Sequence, residues 1–205
     1  MGDIEQTTLE AILTAAKKEF LKKGFRGASL RNIVKAANVT TGAFYGYYKS
    51  KEELFDALVG TQANYVMSVY QKAQTDFAML PPSEQKKQMS EISGECMEHI
   101  LEYAYKNLDE LRLILTCAEG TKYENFVHDM VEVEIDATHH FNEVLKGLGI
   151  PSKLLNPQLE HMLVSGMFAA YFEMVIHDMP IEQARMSLRD LRTFYTAGWQ
   201  KIMGF

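Results

Sequence analysis

The chain has 205 residues, 47% of them hydrophobic, enough to bury a sizeable core as one large or two small domains. No run of about eighteen apolar residues announces a membrane span, and the opening Met1-Gly2-Asp3-Ile4-Glu5 lacks the basic and apolar stretches of a signal peptide. The two cysteines, Cys96 and Cys117, suit a reduced, cytoplasmic protein better than a disulfide framework, and the net charge of −6 argues at first against a nucleic-acid partner.

Strand-like alternation is absent and the few prolines fall where helical periodicity breaks, so the sequence predicts an all-α protein of about nine helices. The first spans about 7–23, with Leu9, Ile12, Leu13, Ala16 and Phe20 on one face and Gly24 as its stop. Ser29 opens a short helix to about Ala37, Asn38-Val39 turn the chain, and Thr40 opens another to about Tyr47. Ser50-Lys51-Glu52-Glu53 has capping-box spacing and starts a long helix over about 51–79. Further helices are expected at about 84–105, 109–118 and 121–147, the last from the Thr121/Glu124 signal. Asn156-Pro157 starts another, reaching about His177, and the last covers about 181–203.

Residues 29–47 have the parts of a helix-turn-helix: two short helices, a tight turn, and small or polar residues at the start of the second helix. Thr40, Thr41, Gly42 and Ala43 are small enough to let that helix approach base edges in a major groove. Tyr45, Tyr47 and Lys51 can hold phosphates, and Arg31 can reach the DNA backbone or a base edge. The charge distribution agrees. Residues 1–55 hold nine Lys/Arg against six Asp/Glu, whereas the other 150 hold twelve against twenty-one. Phosphate contact needs local, not global, positive charge, so DNA would dock at the N-terminal end.

The runs Ala28-Ser29-Leu30-Arg31-Asn32-Ile33-Val34, Ala36-Ala37-Asn38-Val39-Thr40-Thr41-Gly42-Ala43-Phe44-Tyr45-Gly46-Tyr47-Tyr48 and Ser50-Lys51-Glu52-Glu53-Leu54 resemble the TetR family of transcriptional regulators over roughly residues 9–58. The resemblance implies residues 1–50 as a three-helix helix-turn-helix DNA-binding domain and 51–205 as a larger helical ligand-binding and dimerisation domain. It implies a homodimer on palindromic or near-palindromic double-stranded operator DNA, acting as a repressor released by a small-molecule effector. Tyr45, Tyr47 and Lys51 match phosphate-contacting positions; Thr40, Thr41, Ala43 and Gly46 match base-reading ones, and Ser29, Arg31 and Gly42 join the DNA-facing set. Gly46 stands where many relatives carry a larger side chain.

The body, about 60–178, is rich in Met and aromatics, which line adaptable apolar cavities. Candidate wall residues are Tyr65, Tyr70, Met89, Cys96, Ile100 and Tyr103, then Leu113, Cys117, Phe126, Met130, Phe168 and Phe172. The ligand expected is small and largely apolar. For the dimer contact, Met162, Gly166, Met167, Ala170 and Met174 recur at helical spacing, with Leu188, Leu191, Tyr195 and Trp199 on the last helix, as needed for a two-fold four-helix bundle. His128 with Glu132, and Asp136 with His140, pair one turn apart, but no compact metal-binding motif is present, so neither a metal nor a cofactor is expected. No nucleophile elbow or phosphate loop suggests an enzyme. The alternative is a helical ligand- or metal-binding protein without a DNA role.

Overall fold

The computed structural model describes residues 2–204, with side chains from residue 7 onward; the expectation about the chain start, Met1 to Glu5, lies outside these side chains. Among the described residues there are nine helices and no strand: α1 (Gly2–Gly27), α2 (Leu30–Ala36), α3 (Thr41–Tyr47), α4 (Lys51–Ala78), α5 (Pro82–Lys106), α6 (Leu108–Cys117), α7 (Phe126–Gly147), α8 (Pro157–Ile176) and α9 (Ile181–Met203). The all-α expectation is met, and most bounds fall within a few residues of those expected.

The caps explain the starts. Thr40 Oγ1 accepts from the backbone N–H of Ala43 at 3.1 Å, and Ser50 Oγ accepts from that of Glu53 at 3.1 Å. Glu53 accepts in turn from the N–H of Lys49 at 2.7 Å, one residue ahead of the N-cap, a variant of the capping box. Asn156 Oδ1 caps α8 through the N–H groups of Gln158 and Leu159. Two expectations shift. Gly24, at φ 68°, kinks the end of α1 where a stop was expected. The Thr121/Glu124 signal makes a turn: Thr121 Oγ1 donates to the carbonyl of Ala118 at 2.7 Å, Glu124 accepts from the N–H of Gly120, and α7 begins at Phe126.

By packing, the chain forms two compact units: residues to Asn64 with Asn107–Phe126, and Tyr65–Lys106 with Val127–Phe205. The first unit is thus discontinuous in sequence, and α4 contributes residues to both. Its core is an aromatic cluster in which Phe20, Phe25 and Phe55 lie 5.1–5.9 Å apart, with Ile12, Ile33, Phe44 and Leu54 fully buried beside them. Within this unit α6 packs on α1, flanked by ion pairs of Lys17 with Glu110 (2.5 Å) and Arg26 with Glu119 (2.6 Å). Asp56 on α4 accepts from Lys122 at 2.7 Å and from the Tyr123 hydroxyl, and these bonds, Lys122 first, hold its carboxyl below the usual range.

The second unit packs α5, α7, α8, α9 and the latter part of α4. Tyr171, buried on α8, donates to the carbonyl of Met97 on α5 at 2.8 Å. Tyr105 donates to the carbonyls of Met174 and Met179 at the end of α8. The helix α8 has 20 residues and a mean hydropathy of 1.3 over its most apolar window, enough by length and composition alone to cross a bilayer. Here Val164, Phe168, Tyr171, Phe172 and Val175 form its buried side, which identifies it as a core helix in this fold.

Candidate nucleic-acid interface and internal cavity

The helix-turn-helix is built from short-range chemistry. Asn38 takes the left-handed conformation at φ 55°, which Asn tolerates better than most residues, and so reverses the chain between α2 and α3. Phe44 and Tyr48 point inward as the anchors of α3. The opposite side of the helix is open: Thr40, Thr41, Gly42, Ala43, Tyr45 and Gly46 are exposed, with Tyr47 half-buried at the end. A Cβ added at Gly46 would meet nothing within 4 Å, so no packing requires glycine there. Arg31 on α2 is exposed and Ser29 half-buried just ahead of it.

Ser29 occupies the N-cap position of α2, yet its side chain makes no capping bond. The cap comes from α1: Glu19 Oε1 accepts from the Ser29 N–H at 3.3 Å and from Asn32 Nδ2 at 3.1 Å. The Asn32 bond, followed by the Ser29 N–H, holds the Glu19 carboxyl below its usual range. Sequence reasoning missed Glu19, because a cap borrowed from ten residues upstream leaves no local signature.

Lys51 is placed differently from the expectation. Its ammonium donates to the carbonyl oxygens of Phe25 at 2.7 Å, Ala28 at 3.2 Å and Arg26 at 3.4 Å, and stands 4.5 Å from the centre of the Phe25 ring. All three ammonium protons therefore face the carbonyl-rich end of α1, where a cation is favoured. In this geometry Lys51 ties α4 to α1 and offers no free proton to a phosphate.

The second unit holds a part-open cavity of about 180 Å³. Of the expected wall residues, Tyr70, Met89 and Cys96 line it. Tyr65, Ile100, Tyr103, Met130, Phe168 and Phe172 lie in the same unit but outside this wall. Ile100, Met130 and Phe168 are fully buried core, and Tyr65 stacks on Tyr103 at 4.0 Å while its hydroxyl meets His99 at 2.8 Å. Leu113, Cys117 and Phe126 belong to the other unit's core. Periodicity marks an inward side chain but cannot separate one that packs from one that faces a gap.

The cavity has polar features that composition did not reveal. Glu134 on α7 accepts from the Tyr70 hydroxyl and from Gln74 Nε2 at 2.7 Å, both on α4. Burial pushes the Glu134 carboxyl up, against the pull of those two bonds, and also pushes the Tyr70 hydroxyl well up. Arg192 on α9 lies across the α5 backbone at Gly94 and donates to the carbonyl of Ser90 at 2.6 Å. Cys96 has its thiol pushed up to about 11 by burial and, next, by Glu134. The wall is therefore mostly aromatic and aliphatic, with one acidic and one basic side chain.

Comparison with known proteins fits the N-terminal geometry. A family model described as bacterial regulatory proteins, tetR family, matches residues 12–58, which span the α1–α4 helix-turn-helix segment. Residues 12–58 therefore carry a TetR-family helix-turn-helix segment. It is similar to the HTH-type transcriptional regulator YhgD of Bacillus subtilis (strain 168), at 42% identity over 24% of this chain and 26% of the relative. It is similar also to the HTH-type transcriptional repressor BepR of Brucella suis biovar 1 (strain 1330), at 40% identity over 26% and 25%. The chain thus spans about a quarter of the length of these curated relatives. A solved TetR-family regulator from Streptomyces coelicolor A3 shares the fold, with a TM-score of 0.57 at 16% identity over 90% of this chain and 88% of that one.

The residues expected at a dimer contact fall in different settings on the last two helices. Met174 and Leu188 are already buried within the subunit, at 2% and 5% exposure, and have almost no area left to bury. Met167, Leu191, Tyr195 and Trp199 line the cavity, because α9 turns that face toward α5 and α7. Met162 stays exposed at 68%, and Gly166 and Ala170 are half-buried along α8. The exposed large apolar side chains of α9 are Met186, Phe194 and Ile202, with Phe194 71% exposed; successive members stand about 80° apart around the helix.

Proposed function

We propose that the protein is a dimeric, DNA-binding transcriptional regulator, a repressor released from its operator by a small, largely apolar ligand. The carrying observation is the exposed edge Thr40–Ala43 on α3, bare of large side chains, in the positively charged N-terminal part of an otherwise acidic chain. A helix edge of that kind can enter a major groove, with Tyr45, Tyr47 and Arg31 positioned for phosphates and Lys51 holding α4 against α1 behind them.

Dimerisation is supported by the α8 and α9 surface. Leu159, Met162, Met186, Phe194 and Ile202 present large apolar side chains to solvent. Single exposed apolar residues are ordinary, but five on two adjacent helices support an association surface there. Two copies packed by it form a two-fold bundle. Dimeric helix-turn-helix proteins read half-sites about 34–36 Å apart, or multiples of that, so head separation controls affinity. A ligand in the cavity lowers DNA affinity by binding better to a conformer with the wrong separation, a coupling of about 1–3 kcal/mol in typical cases. The α4 helix, with residues in both packing units, is the natural carrier of that change.

The test is a gel-shift with DNA from upstream of the gene. Retardation that competes with itself but not with random DNA supports the reading; equal binding to both makes the protein a non-specific DNA binder and refutes operator recognition, and no binding points to the helical ligand-binding alternative. In sedimentation, Phe194→Glu is expected to give monomers that lose operator affinity. A persistent dimer would place the contact elsewhere.

A further inference from the structure

Away from the cavity and the DNA-facing helices, a small group of side chains on the second unit is arranged around a gap. On α7, His128 and Glu132 stand one helical turn apart; from α8, His161 reaches the same place. His128 Nδ1 and His161 Nε2 each lie 3.9 Å from the same oxygen, Glu132 Oε1. The two imidazole rings are 5.7 Å apart, and one donor atom from each of the three residues falls within 4.8 Å of the others.

We infer that His128, Glu132 and His161 form a binding site for one divalent late-transition-metal ion of the zinc class, joining α7 to α8. Two imidazoles and one carboxylate make up a three-ligand zinc site with an open fourth position for water. The same set suits nickel and copper, whereas magnesium and calcium prefer all-oxygen shells.

The geometry separates this group from ordinary ion pairs in the same unit. His139 with Glu160, and His177 with Glu173, close to 2.8 Å, the distance of a direct hydrogen bond. At Glu132 neither imidazole closes; both stop at 3.9 Å on one oxygen. Ligands around a tetrahedral zinc at about 2.0–2.2 Å stand about 3.3 Å from one another, so contraction by roughly an ångström completes the shell. Side chains that are 46–55% exposed can rotate that far without disturbing the core.

His161 is also oriented from behind. Its Nδ1 lies 3.3 Å from Ser165 Oγ, one turn along α8. With the proton on Nδ1 donated to that oxygen, Nε2 keeps its lone pair toward Glu132, the arrangement in which a ligating histidine is fixed by its other nitrogen. The inference does not rest on the DNA-binding reading.

The experiment uses the full chain, stripped with a chelator, and titrates zinc sulfate by calorimetry and by competition with a chromophoric chelator. The expected result is one zinc per chain with micromolar affinity or tighter, and a rise in melting temperature with zinc. His161→Ala and His128→Ala each weaken binding at least about tenfold and abolish the rise, and Glu132→Gln weakens it too, while His140→Ala changes neither. Magnesium is not bound. Melting of each variant in chelator, expected to match the parent, separates lost ligands from lost fold. No zinc binding tighter than about 100 μM, or an unchanged affinity in His161→Ala, overturns the proposal.

Discussion

Lys51→Met tests the assignment of this lysine to the protein interior. The substitution keeps an apolar stem of similar length and removes only the charge. What is lost is the set of bonds to the carbonyls of Phe25, Arg26 and Ala28 and the contact over the Phe25 ring. A buried hydrogen bond from a charged donor is worth about 1.5–3 kcal/mol, a cation over an aromatic ring about 0.5–1, and a cation at a helix C-terminus about 0.3–1. Lys51 is half exposed and water can reach the released carbonyls, so the sum is discounted to about 2 kcal/mol. For a chain of this size that lowers the melting temperature by about 4–8 °C. The assay is thermal melting at fixed protein concentration, paired with operator affinity measured across a salt series. A lysine that ties α4 to α1 gives the drop in melting temperature and leaves the slope of log K against log salt unchanged. A lysine that neutralises a phosphate gives unchanged melting and a slope smaller by about 0.9. The second outcome would refute the placement argued here.

Three further outcomes are expected. A Cβ at Gly94 would stand 1.7 Å from Arg192 Nη2, so Gly94→Ala expels the guanidinium, breaks its bond to Ser90 and costs about 1 kcal/mol despite the better helix former. In an Arg192→Ala background the same change should stabilise by up to about 1 kcal/mol, and equal effects in both backgrounds in urea unfolding would refute the contact. With its thiol pushed up to about 11, Cys96 in a Cys117→Ser protein should alkylate about 100-fold more slowly at pH 8 than a free thiol, since only the thiolate reacts. Labelling at the free-thiol rate would show that the burial is wrong. Tyr45→Phe removes only an exposed hydroxyl, and should weaken operator and random DNA alike by about fivefold, about 1 kcal/mol. Loss confined to the operator would make Tyr45 a base reader.

The amino-acid sequence by itself determined the helix-turn-helix. Its signals act over a few residues: Thr40 reaches the Ala43 N–H, Ser50 accepts from the Glu53 N–H and Glu53 from the Lys49 N–H, and Asn38 takes a backbone angle few residues accept. What crosses between helices was not legible. Glu19 caps α2 from α1, Lys51 reaches back to Phe25, and His161 joins a pair on α7 whose own spacing gave no third ligand. The cavity is the clearest case. Tyr195 and Trp199 carry the same apolar, bulky signature whether they meet a second subunit or an empty space. Only the rotation of α9 against α5, set where Arg192 crosses Gly94, decides that they face inward while Phe194 faces out. Burial depends on which surfaces meet, and that is fixed by packing many helices at once, beyond the pattern along any one of them.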